Sequence, residues 1–259
     1  MQFAKISELV KGVPFINTKN ARYLYDLIVR EKLTNILELG VAHGTGTCYM
    51  AAALDELGAG QITSVDLLEA QKNYSPSPEE QLKNSNLEKF VRIVRTQTGY
   101  TWFLHDEIRR LTTNDVCRSK YDLCIIDGSK NWTIDGCSFF LVDKLLQENG
   151  WIIFDDYSWT YAWADTKREA TDGISHRKLS EDERNIPHIK EVFELLVKQH
   201  PNYSDFFVGA DADWAIARKC ASEKKTYTIE YRETNKDVLV AMRDQLVKVR
   251  KKIKKHFHI

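Results

Sequence analysis

The chain has 259 residues, with 37 Lys and Arg set against 37 Asp and Glu for a formal net charge of +0. That balance excludes a global field drawing in nucleic acid or a membrane surface, and no apolar run nears the ~18 residues of a membrane span. Five cysteines, an odd number without a CxxC pair, argue against a disulfide framework or zinc site and for a reducing cytoplasm. Met1-Gln-Phe-Ala-Lys5 also lacks the basic and apolar regions of a signal peptide.

In chain order, residues 1–34 form a cap whose segment Ala21–Val29 is apolar-periodic, with Tyr25, Ile28 and Val29 sharing one helical face. Asn35–Leu39 reads as a strand and Thr45–Leu57 as a helix closed by Gly58-Ala-Gly60. Gln61–Val65 and Val91–Arg95 are the next strands. A helix over Tyr100–Leu111 leads to a strand ending at Asp127. A helix over Thr133–Gln147 leads through the turn signal Glu-Asn149-Gly150 to a strand ending at Asp155. Ile189–Gln199 is helical, and Tyr203–Val208 and Trp214–Arg218 are close enough to form a hairpin. Strands alternating with helices predict an α/β, Rossmann-like, doubly wound sheet, mostly parallel, with a reversed C-terminal hairpin strand and helices on both faces. The domain spans residues 35–219, and 220–259 form a C-terminal extension.

Two apolar strands run into acid: Tyr121-Asp-Leu-Cys-Ile-Ile into Asp127-Gly-Ser-Lys130, and Trp151-Ile-Ile-Phe into Asp155-Asp156. In parallel sheets ligands bind beyond the carboxyl ends of the strands. Three carboxylates and a lysine delivered there have the makings of a metal-binding, proton-handling centre. Upstream, Glu38-Leu-Gly40-Val-Ala-His-Gly44-Thr-Gly46 joins a strand to a helix start, where free N–H groups meet a ligand. Its GxxxGxG spacing differs from the GxGxxG of nicotinamide-binding folds. Asp66, ending the second strand, is placed to bind both hydroxyls of a ribose.

With these residues the chain resembles the class I S-adenosylmethionine-dependent methyltransferases over about residues 33–219. The resemblance implies that Glu38, Gly40, Gly44 and Gly46 lie by the methionine end of the cofactor and that Asp66 holds its ribose. It also puts Gln97 near the adenine and Asp127 in the cofactor set. Asp127…Lys130 and Asp155-Asp156 are similar to two groups of O-methyltransferases. The metal-dependent catechol and caffeoyl-CoA types have Asp, a Lys three residues later and an Asp-Asn pair. The macrocin type has Asp-Gly-Ser-His and an Asp-Asp pair. This sequence mixes the two. The resemblance implies methyl transfer to a hydroxyl of a small molecule or saccharide, with Mg²⁺ or Mn²⁺ on Asp127, Asp155 and Asp156. Asp127 and Lys130 are the catalytic pair, and Lys130 is open to being base or balancing charge.

Residues 157–187 lack a regular period and read as a substrate lid, in which Trp159, Tyr161 and Trp163, with Trp132, supply aromatic faces for an acceptor. In the extension, Leu239, Met242, Leu246, Val249 and Ile253 form an apolar seam beside eight Lys or Arg and two Asp between Lys236 and Lys255, a local charge of +6. The seam is open to packing on its own domain or to a second copy, and its basic face to solvent or an anionic partner. A metal-independent methyltransferase and a non-catalytic, RNA-associated S-adenosylmethionine-binding protein are the alternatives.

Overall fold

The computed structural model describes residues 1–166, 179–211, 213–220 and 243–248. The chain divides into two units, Met1–Ser222 and Glu223–Ile259. The first is built on β1 (Asn35–Leu39), β2 (Gln61–Leu67), β3 (Val91–Thr96), β4 (Tyr121–Ile126), β5 (Leu146–Phe154), β6 (Tyr203–Val208) and β7 (Ala215–Lys219). Their order is β3-β2-β1-β4-β5-β7-β6. The first five run parallel, and β7 pairs antiparallel with both β5 and β6. The expected reversed hairpin is therefore the sheet's last pair.

The central strands are apolar on both faces because helices cover both. Ile36, Ile62, Leu123 and Ile153 point toward α1 (Phe3–Leu9), α2 (Thr18–Glu31) and α3 (Thr45–Leu57). Leu37, Leu39, Val65, Cys124, Ile126 and Phe154 point the other way, toward the apolar faces of α5 (Tyr100–Leu111) and α6 (Trp132–Leu145). Between them α4 (Pro78–Ser85) carries a capping box from Ser77 and Glu80. Three short helices follow: α7 (Tyr161–Asp165), α8 (Glu181–Asn185) and α9 (His188–Glu191), the last continuing as a π-helical turn over Val192–Val197.

The structure corrects one boundary. The helix expected over Thr133–Gln147 ends at Leu145, and the strand starts at once at Leu146. Asn149, at φ +65, does not turn the chain between two elements. It lies in an irregularity within β5, where the partners of Tyr121 and Leu123 slip from Leu146 to Trp151. The region expected to lack regular structure contains α7 and α8, while residues 167–178 lie outside the described residues.

Among the described residues no helix is long and apolar enough to cross a membrane. In the second unit residues 243–248 are helical and include Leu246. The other seam positions, Leu239, Met242, Val249 and Ile253, lie outside the described residues.

Candidate active site

Strand register builds the site. Leu39 of β1 pairs with Val65 of β2 and Ile126 of β4, and Ile126 pairs with Phe154 of β5. The next residue on each strand is therefore delivered at one height: Asp66, Gly40, Asp127 and Asp155. The row extends at both ends. Val65 pairs with Val94, so Arg95 follows on β3, and Phe154 pairs with Ala215, so Trp214 precedes it on β7.

Gly40 has φ +99, and a Cβ there would lie 2.3 Å from the Asp127 carbonyl oxygen. Only glycine lets the loop pass so close to β4. Gly44 has φ +75 and abuts Pro78, whereas Gly46 lies in α3 with room for a Cβ 3.7 Å from Glu38 Oε1. Asp66 ties this loop down: its Oδ2 accepts from the Val41 and Ala42 N–H at 3.0 and 2.9 Å, and its Oδ1 from the Leu67 N–H at 2.7 Å. Glu38 is buried, and its Oε2 accepts from the hydroxyls of Thr47 and Ser64 at 2.7 and 2.6 Å. Burial outweighs those bonds and, with the charges of Asp127 and Asp66, pushes its carboxyl up to about 8.

At the acid end, one carboxylate oxygen each from Asp127, Asp155 and Asp156 lies within 4.8 Å of the others. Lys130 donates to the Asp127 carboxylate and, at 2.8 Å, to its carbonyl oxygen, and its Nζ lies 3.2 Å from Asp156 Oδ2. Burial pulls Lys130 down, but Asp127, Asp156 and Asp155 together hold it well above the usual lysine value. Burial and then the charge of Asp127 push Asp155 far up. Burial is also the largest influence on Asp156, which is raised despite Lys130. Trp214 Nε1 donates to Asp155 Oδ1 at 2.6 Å. Three hard oxygen donors, their charge incompletely offset by one ammonium, fit a divalent ion such as Mg²⁺ or Mn²⁺.

A cavity of about 1050 Å³ joins the two ends. Glu38, Gly40, Gly46, Asp66, Asp127, Lys130, Asp155, Asp156, Trp159 and Tyr161 all line it. Gly44, the residue that caps α3, is not among the lining residues. Gln97 lines a smaller cavity of about 650 Å³ with Arg95 and Trp102, and Thr98 borders both. Trp132 and Trp163 are not among the lining residues and are 39% and 56% exposed. Trp163 stands two residues beyond Tyr161 in α7, a rotation of about 200° that turns it from the cavity.

Sequence reasoning missed several contributors. Phe15 and Tyr74 line the cavity, and their rings enclose that of His43 at centroid distances of 5.5 and 5.0 Å. Asp213, Trp214 and Tyr100 line it too. The position of Trp214 one residue before the last strand was the available signal. Nothing local in the sequence marked Phe15 or Tyr74.

No curated protein matches the chain in sequence. Residues 37–157 match a family model described as a methyltransferase domain. Among solved structures, the chain is similar to an O-methyltransferase from Bacillus cereus in complex with S-adenosylhomocysteine (16% identity, TM-score 0.58, covering 85% of this chain and 92% of that one). It is also similar to TomG from Streptomyces achromogenes, an O-methyltransferase of tomaymycin synthesis in complex with S-adenosylmethionine (14%, 0.55, 84% and 89%). A third is S-adenosylhomocysteine-bound methyltransferase PaMTH1 from Podospora anserina (15%, 0.56, 84% and 87%). At these identities the likeness is one of fold. Residues 37–157 thus match a methyltransferase domain, and the fold built around them is the Rossmann-like fold of these S-adenosylmethionine-dependent methyltransferases.

Proposed function

We propose that this enzyme methylates a hydroxyl of a small molecule or saccharide and that Asp127, Asp155 and Asp156 hold a divalent ion, Mg²⁺ or Mn²⁺, beside the acceptor. The observation that carries this reading is the convergence of the three carboxylates on the same cavity as Glu38, Gly40 and Asp66. In methyl transfer to oxygen, the methyl–sulfur bond breaks as a carbon–oxygen bond forms in line with it, and the acceptor loses its proton. When bound, the ion lowers the acceptor's pKa and orients its oxygen.

The chain's own residues supply the positioning that such a displacement needs. The glycine loop and Asp66 hold the methyl donor at one end of the row. Trp159 and Tyr161 wall the acceptor side, and Tyr161 is fixed by donating to the Ser129 carbonyl at 3.1 Å. Lys130, held protonated among three carboxylates, favours the balancing-charge role over the base. All five cysteines are free, which supports a reducing, cytoplasmic setting.

Turnover of a hydroxyl panel with and without Mg²⁺ tests the proposal. Asp155→Ala is expected to lose metal-stimulated turnover tenfold or more while S-adenosylhomocysteine affinity is retained. Full wild-type activity in excess chelator would overturn the metal assignment. A metal-independent reading has one observation in its favour, the Lys130 ammonium between Asp127 and Asp156. Lys130→Arg separates its two roles: a balancing charge leaves substantial activity, and a base leaves none.

A further inference from the structure

The turn that presents Asp127 and Lys130 is clamped from below by groups outside the proposed chemistry. Tyr100 and Asp135 are both buried, and the Tyr100 hydroxyl donates to Asp135 Oδ1. The same phenolic oxygen accepts the Ser129 N–H at 3.0 Å, and Asp135 Oδ2 accepts the Asn131 N–H at 2.7 Å. Lys130, between those two residues, has φ +55, a left-handed conformation costly for a residue with a Cβ. Such a conformation persists where the surroundings over-determine it, and here its two neighbouring amides are tied to one buried pair. The ring of Tyr100 also fills the space beside Gly128, where a Cβ would lie 2.2 Å from it.

We propose that Tyr100 and Asp135 are positioning residues, a buried strut that fixes the left-handed Lys130 turn and so sets Asp127 and Lys130 for methyl transfer. The proposal rests on the O-methyl-transfer reading above. A buried carboxylate is costly to place without compensation, and this one is spent on two hydrogen bonds that both bear on residues 129–131.

The test is Tyr100→Phe, which keeps the ring against Gly128 and removes the hydroxyl with its contacts to Asp135 and to the Ser129 N–H and Oγ, with Asp135→Asn as the second variant should Tyr100→Phe not fold. The measurements are kcat, KM for the acceptor, S-adenosylhomocysteine affinity, and hydrogen exchange at the Ser129 and Asn131 amides. The strut predicts a tenfold or greater fall in kcat, a loss of cofactor affinity several-fold smaller than that fall, and exchange at Ser129 that quickens while the amides of α5 and β4 keep their protection. An unchanged kcat overturns it. So does a parallel loss of stability, cofactor affinity and kcat, which marks a merely structural pair. If the wild type turns over no hydroxyl acceptor, the O-methyl reading fails by itself. Exchange at Ser129 then decides for or against the strut.

Discussion

Glu38 carries its proton at neutral pH because burial costs its anion more than Thr47 and Ser64 return. Its raised pKa means that the folded chain holds a proton the unfolded chain releases. Its contribution to stability is therefore fully present below about 4.5 and lost as pH rises through about 8. On the proposed placement of the methyl donor, the ammonium of S-adenosylhomocysteine enters the cavity Glu38 lines and favours the ionised carboxylate. Binding near neutral pH should release a proton, and affinity should rise as pH climbs toward 8. Calorimetry in buffers of different ionisation enthalpy measures that release, and Glu38→Gln should abolish it. Gly128 makes a second residue-scale prediction. With Tyr100 immobile against it, Gly128→Ala forces an overlap whose cost is about 1–3 kcal/mol, measurable as a shift in urea midpoint.

Among the elements, the sequence made β1, β2, β4 and β5 plain because each is a short apolar run that ends in a polar or glycine residue. It did not reveal that Asp66, Gly40, Asp127 and Asp155 come level. Register depends on pairing between strands distant in the chain, so the row from Arg95 to Trp214 becomes visible only in the folded sheet. Local chemistry explains the other differences. Ser77-Pro78-Glu79-Glu80 carries the full signature of a helix start, so α4 was legible and went unread. Asn149-Gly150 is a turn signal that the parallel pairing of β5 absorbs as an irregularity, because the buried Leu146 already belongs to the strand. One helper of this register lies at the amino ends of the central strands. Asp122 accepts the Thr34 N–H at 2.8 Å and the Asn35 N–H at 3.0 Å, anchoring the start of β1 to β4. Burial raises the pKa of Asp122, so the bonds offset a cost to the group itself. Removing the acceptor orphans partly buried amides, and Asp122→Ala should cost about 1–3 kcal/mol. Denaturant melts should register that loss, while S-adenosylhomocysteine affinity of the folded variant stays at the wild-type value.

For the whole molecule, the cavity depends on chain segments from Phe15 to Trp214, and among the described residues every one that lines it lies within Met1–Ser222. A ligand that touches the loop after β1, the end of β2 and the turn after β4 is bound by the folded unit and has no counterpart in the unfolded chain. Its affinity therefore appears directly as stability. S-Adenosylhomocysteine at 100 times its dissociation constant should add about 2.7 kcal/mol. At about 2–4 °C per kcal/mol for a domain of this size, Tm should rise by roughly 5–11 °C. A chain ending at Ser222 should show the same rise, because it keeps every described residue that lines the cavity. Differential scanning calorimetry of both chains distinguishes the outcomes. A rise confined to the full chain would mean that residues 223–259 contribute to the cofactor site. Equal rises would leave the extension, with its apolar seam and +6 of charge between Lys236 and Lys255, a role separate from cofactor binding.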